Sequence, residues 1–479
     1  FQGVRTMLNI LRPIEILKEI EKERNDKFYI AGSGIREYLI ADKIKRIRIL
    51  TSFEALDIAR EFMNRCEGYT MIEKEDGSIE IFSDRFVSLI FSKICPQGII
   101  SQLSKKIYTV DAVAMTLDDF IDFKPEKLIN PHGGLEDINN RILRIVDGEN
   151  LRQNPIGYLR GIRLMAEHEL DIDPDTEIFM KEHVHWLEGI RGYEYTKELF
   201  RILDQKESSY YINLMDRHIG MLQYIFPEIE PMKNVGECKY HVVDSFTHSV
   251  YTLKVLEGVV NANGFFEDHL RTAYEEHTSK CMNSNIKRLS LIKLGAFFHD
   301  IGKPAAKFNV DKGRTRFQGH EIVGAEMLME IGKRLGLSEE DTVTLSRYSA
   351  LHMFPLVIYK NNDVSGDTLF NMFSQTEDET LDVLLIGYAD IVATRKLLNP
   401  DEEMGNFKVH VEYIANNYIT RYLPLKEMDK IITFEEIKKL VGEHEAMPAY
   451  EALRKSIYMG RVPLKRDKID KFLSNISWR

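Results

Sequence analysis

The sequence predicts an α+β protein of several domains: a small α/β head, a mostly α-helical neck and body, an all-α domain and a helical tail. Three observations carry that prediction. The 479 residues are more than one ordinary hydrophobic core organises and suggest roughly three or four domains. Strand-like runs concentrate before Met115, and from about Arg152 onward the apolar residues recur at helical spacing. An apolar fraction of 44% beside 29% charged residues is globular, and no apolar run approaches the about 18 residues needed to span a bilayer. The expected divisions are a tag remnant over 1–3, a head over 4–148, a neck and body over 149–230, an all-α domain over 231–423 and a basic tail over 424–479.

The head begins with a strand over 28–31, the small-residue turn Gly32-Ser33-Gly34, a helix over 35–41, a second strand over 46–51 and a helix over 53–64. Asp76-Gly77 between the runs 69–73 and 78–82 signals a hairpin. Runs over 85–90 and 107–115 continue the pattern, which gives a mostly antiparallel or mixed sheet. In Arg46-Ile47-Arg48-Ile49 a period of two turns both isoleucines inward and both arginines to the other face. Two readings of the arginines stay open. They form a solvated strand face, or, with Arg36 beside the Gly32 turn, a metal-free anion cradle to which Lys105 and Lys106 add charge.

The neck and body read as amphipathic helices over 156–168, 176–187, 195–203 and 210–219, in which the aromatic residues are core rather than stacking platforms. An acidic, polar stretch over 261–286 reads as a helical excursion; its His269 and His277 do not fit the ligand order described below. The run from Lys307 to Phe317 reads as a short hairpin turning at Gly313, with Arg314 and Arg316 available to a phosphorylated substrate. Helices over 433–441 and 449–456 precede a basic end.

A net charge of -11 gives no global attraction for polyanions, so any nucleic-acid contact relies on local basic patches. The four cysteines are far apart and form no CxxC pair, which fits a reducing, cytoplasmic setting and disfavours a disulfide framework. No secretory signal or membrane anchor is expected.

The densest chemical signal lies in the all-α domain. Phe298-His299-Asp300-Ile301-Gly302-Lys303 is flanked by His248 upstream and by His320, His352 and Asp390 downstream, each in or beside a helical stretch. Imidazole and carboxylate ligands suit a divalent first-row metal, and six of them suffice for two ions. The ligand types do not distinguish Mn, Fe, Ni, Co, Zn or Mg.

This order of ligands resembles the HD-domain metal-dependent phosphohydrolases. The resemblance implies one metal on His248, His299, Asp300 and Asp390, a second completed by His320 and His352, and Asp300 and Lys303 as catalytic groups, with Lys303 facing a substrate phosphate.

The head is similar to the tRNA nucleotidyltransferase and poly(A) polymerase family. The similarity runs through Gly32-Ser33-Gly34-Ile35-Arg36-Glu37, Pro131-His132-Gly133-Gly134-Leu135-Glu136-Asp137 and Tyr158-Leu159-Arg160-Gly161-Ile162-Arg163. The family holds two magnesium ions on an Asp-x-Asp strand, and the matching positions here are Arg46 and Arg48. That exchange moves the local charge by about +4 and repels a divalent cation by several kcal/mol. Lys105-Lys106-Ile107 stands for the family's Arg-Arg-Asp, and Gln153 and Asn154 replace two base-selecting acids. The expectation is therefore a metal-dependent phosphohydrolase acting on a nucleotide or an RNA 3′-end phosphoester, tRNA among the partners, with a silent transferase head. Its alternatives are a non-catalytic RNA or nucleotide binder and an active, CCA-adding tRNA nucleotidyltransferase.

Overall fold

A computed structural model describes residues 2–41, 44, 46–74, 76–190, 192–235, 243–262, 266–306, 308–310, 314–399 and 404–475. The chain divides into two compact units, one of residues 1–190 with 214–225 and the other of 191–213 with 226–479. No helix among the described residues is long and apolar enough to cross a membrane.

The first unit is built on a six-stranded mixed sheet. Its strands are β1 (Tyr29–Ala31), β2 (Arg46–Thr51), β3 (Thr70–Glu73), β4 (Ile79–Phe82), β5 (Ser88–Lys93) and β6 (Ala114–Thr116), in the order β3-β4-β5-β2-β1-β6. Only β2 and β5 run parallel, with Arg48 opposite Ile90, and the other pairs are antiparallel. Ile47 and Ile49 are fully buried while Arg46 and Arg48 are half-buried, as the alternation requires. The expected strand over 107–115 is broken by a 3₁₀ turn, Thr109–Asp111, and only its end pairs as β6. Gly32 has φ +67°, a left-handed geometry that favours glycine; its N–H donates to the Val113 carbonyl at 2.9 Å and its own carbonyl accepts from Ile35 and Arg36. Two short parallel strands, β7 (Ile142–Leu143) and β8 (Asp171–Ile172), close the remainder of the unit beside the helix Gly157–His168.

The second unit is helical apart from the antiparallel pair β9 (Phe308–Val310) and β10 (Arg314–Arg316). The excursion over 261–286 contains one helix, Asp268–Thr278. The tail packs its own small core around Met428, Ile437, Leu453 and Ile469. Gly302 lies where two backbones meet: a Cβ there would run into the His320 carbonyl and the Gly324 amide of the helix His320–Arg334.

A buried carboxylate ties the helices together. Asp382, inside the apolar helix Thr380–Leu398, accepts from His277 Nε2 at 2.7 Å, from Arg288 Nε and Nη2 at 2.8 and 2.6 Å, and from the Tyr348 hydroxyl at 2.8 Å. Burial alone would raise the Asp382 carboxyl, but His277 and Arg288 outweigh it and hold it below the usual range. Asp382→Ala strands Arg288, which is 8% exposed, without its charge partner, and the expected cost is about 3–5 kcal/mol in urea unfolding. Because the folded pKa is depressed, this stability is present above an unfolded carboxylate pKa of about 3.9 and lost as pH falls below it; the acid limb of a stability–pH curve should flatten in the variant.

Candidate functional site

Five helical segments bring the predicted ligands to one buried cluster in the second unit. His248 lies one turn into the helix Ser245–Asn261, whose N-terminus is capped by Asp244 accepting from the Thr247 N–H at 2.8 Å. His299 and Asp300 follow the helix Arg288–Phe298, His320 begins the helix His320–Arg334, His352 follows the helix Glu339–Leu351, and Asp390 lies on the helix Thr380–Leu398. His248, His299, Asp300, His352 and Asp390 are all buried, and His320 is at the edge of burial.

Two groups converge closely enough to hold an ion: His248 with His299 and Asp390, and His299 with Asp300 and His352. His248 Nε2 is 2.9 Å from Asp390 Oδ1, His299 Nε2 is 3.2 Å from Asp300 Oδ2, and His320 Nε2 is 3.2 Å from Asp300 Oδ1. Three of the rings are oriented by one device. The Nδ1 of His299, His320 and His352 meets the carbonyl of Ala296, Phe317 and Ser349 at 2.8, 2.8 and 2.6 Å, so Nδ1 is the donor and Nε2 is turned inward. His299 Nε2 and His320 Nε2 are buried and make no well-formed hydrogen bond, while Asp300 Oδ2 is ion-paired with Lys303. Orphaned, inward-facing nitrogen atoms beside a carboxylate fit a divalent cation.

The charges reinforce that reading. Burial, with His299 and His320 nearby, brings His352 down to about 3, and burial outweighs Asp390 at His248 to lower it also. Burial works against a charged His299, yet Asp300 and Asp390 carry it up to about 10, so a cation bound there would displace the proton from its Nε2. Asp300 and Asp390 remain ionised despite burial, Asp300 through Lys303 and His299, Asp390 through its bonds to His248 and His299. Lys303 is buried against Asp300, with its ammonium 5.8 Å from the centre of the Phe317 ring. Arg314 and Arg316 lie on β10, paired with Val310 and Phe308; Lys307 and Gly313 of the expected hairpin fall outside the described residues.

In the first unit the predicted cations separate into different roles. Arg36 is buried and ion-paired with Asp111. Arg46 Nε is 3.0 Å from Glu80, which also takes Lys74 at 2.7 Å. Arg48 Nη1 donates to the Ser92 hydroxyl at 2.7 Å. Lys105 is exposed and Lys106 half-buried, directly after the helix Ile99–Ser104. Arg144 holds Asp173 at 2.7 Å and Asp137 at 3.2 Å, so these motif residues spend their charge inside the scaffold. Positions 46 and 48 do not fit a divalent cation, since a guanidinium has no free lone pair and repels it.

Asp382 and its partners are the residues that sequence reasoning missed. The only signal was a charge inside the apolar run Leu381-Asp382-Val383-Leu384-Leu385, which has to find a partner.

The HD domain family model matches residues 245–395, and the model described as "Probable RNA and SrmB-binding site of polymerase A" matches 169–233. The A-adding tRNA nucleotidyltransferase of Deinococcus radiodurans is 25% identical over 319 residues, 65% of this chain and 64% of that protein, so the chain spans just under two thirds of that relative. The CC-adding enzyme of Thermus thermophilus is 25% identical over 341 residues, 69% of each chain. Among solved structures, a CCA-adding enzyme with ATP matches with a TM-score of 0.62 at 17% identity, covering 98% of this chain and 95% of that one. The Thermotoga maritima CCA-adding enzyme with tRNA matches at 0.59 and 16%, covering 98% and 95%. The structural likeness concerns the fold. The sequence relatives correct the expectation of a phosphohydrolase with a silent transferase head, because the proteins aligned along most of this chain are tRNA nucleotidyltransferases.

Titrating the purified protein with Mn²⁺ or Zn²⁺ should reveal a tight site. In Asp300→Asn and His352→Ala its affinity should fall by at least the roughly 10–100-fold that follows from disturbing a histidine's outer partner. Metal content unchanged in both folded variants would contradict the assignment of these ligands.

Proposed function

Because the chain belongs to the tRNA nucleotidyltransferase and poly(A) polymerase family, we propose that it acts as a transferase on tRNA 3′ ends in the cytoplasm, binding tRNA and a nucleoside triphosphate. The single observation that carries this reading is the breadth of the sequence match, 65–69% of the chain aligned with an A-adding and a CC-adding enzyme. In the transfer a terminal hydroxyl oxygen bonds to the α-phosphorus, the bond to the β-phosphate oxygen breaks, and pyrophosphate leaves with the hydroxyl proton lost to solvent.

In this reading Arg48, Lys105 and Lys106 meet phosphates in the head with Arg46 bordering them, and residues 169–233 contribute to holding RNA. Arg36 acts through the turn it braces with Asp111 rather than by touching substrate. Arg314 and Arg316 are further candidates for phosphate contact. The ligands His248, His299, Asp300, His320, His352 and Asp390 would hold a divalent cation; when bound, it supplies fixed positive charge at the centre of the helical unit. No step is derived through a metal at positions 46 and 48.

Those two arginines favour a second reading, in which the protein binds nucleotide or RNA without transferring it. One experiment separates the two. Purified protein is incubated with labelled CTP or ATP and tRNA transcripts shortened stepwise at the 3′ end, and products are resolved by length. Transfer predicts extension of at least one transcript; binding in a gel-shift assay with no extension of any transcript would replace it with the second reading.

A further inference from the structure

The sheet face that carries Arg48 is covered by the helix Ile99–Ser104, whose Leu103 packs with Ala31 and Leu50. Ala31 lies opposite Arg48 in the ladder and Leu50 two residues beyond it, so all three side chains share one face. Lys106 therefore leaves that helix over the face on which Arg48 stands.

The nearby acids are fewer than the cations around them. Glu80 is held by both Arg46 and Lys74. Asp76 accepts from the Ser78 hydroxyl and amide at 2.5 and 3.0 Å. Arg48 is left with a neutral hydroxyl, Ser92, and the Lys106 ammonium forms no ion pair among the described residues. Burial lowers Arg48, partly offset by Asp76, and burial followed by the charge of Arg48 brings Lys106 down to about 8, with Arg160 adding to the effect. Asp76 acts on both Arg48 and Lys106, but with Arg46 and Arg160 also bearing on Arg48 the cations outnumber Asp76 and the shared Glu80, and an anion would stabilise them.

We propose that Arg48 and Lys106 form a phosphate site in the head that works without a divalent cation. It rests on the reading above for the identity of its ligand, either the triphosphate of a nucleotide or a phosphodiester at the tRNA end. Arg46, turned to Glu80, borders the site without filling it. The fixed charges supply the neutralisation that a metal pair would otherwise bring, and they do so with no ligand of their own to exchange.

The test measures ATP, inorganic triphosphate and tRNA binding to the full chain, each in excess EDTA and in Mg²⁺. The expected result is equal affinity for ATP or tRNA in both conditions, and a loss of about tenfold or more in Arg48→Gln and Lys106→Met, the scale of a charge-assisted bond. Lys106→Arg should restore most of it, which separates loss of charge from loss of fold. Inorganic triphosphate competing with ATP points to the nucleotide as source; variants weakened for tRNA alone point to the phosphodiester. Binding that appears only with Mg²⁺, or that survives both substitutions, overturns the proposal. Failure of nucleotide incorporation with EDTA-resistant, Arg48-dependent binding intact would remove only the transfer reading.

Discussion

The helical unit depends on one buried carboxylate. Asp382 collects hydrogen bonds from three other helices, through His277, Arg288 and Tyr348, at a depth where an unpaired charge costs several kcal/mol. Three of the four helices in this network also lead to the ligand cluster: Arg288 begins the one that ends at His299, Tyr348 lies one turn before His352, and Asp382 two turns before Asp390. The network fixes the relative positions of those helices by directional bonds, where apolar packing alone would tolerate sliding. The predicted ligands can therefore converge with few good hydrogen bonds among them, that between His248 Nε2 and Asp390 Oδ1 at 2.9 Å being one. Their unsatisfied atoms are held open by a fully satisfied network elsewhere on the same helices.

The two units handle charge in opposite ways. In the helical unit, carboxylates and imidazole nitrogens face inward and produce a centre suited to a cation. On the head sheet, guanidinium and ammonium groups occupy the half-buried Arg48 face of β2 and its covering segment, and the neighbouring acids are divided among more cations than they can neutralise. The first arrangement attracts a metal; the second excludes one and attracts what a metal would have held. Each follows from side-chain chemistry at a few positions on a backbone that is otherwise unchanged in fold.

Much of this was legible in the sequence because it depends on short periods. The alternation at 46–49 gave the facing of two arginines, and the order of histidines and aspartates gave the cluster, since ligand type and helical spacing are local properties. The strand over 107–115 was misread because β-propensity is local while pairing is not: Thr109–Asp111 coils to meet Arg36 and Arg144 across the unit, a tertiary demand that no window of residues contains. The partners of Arg36, Arg46 and Arg48 were equally hidden, being 75, 34 and 44 residues away. Asp382 was visible only as an anomaly. The choice between hydrolase and transferase was missed for a different reason, since an ordered ligand set reports what can be bound and leaves open which reaction the whole chain serves.

Gly302 carries a consequence for reading such motifs. Its position between two backbones leaves no room for a side chain, whatever happens at the adjoining Asp300. Part of the Asp-Ile-Gly-Lys signature is thus a demand of packing rather than of chemistry.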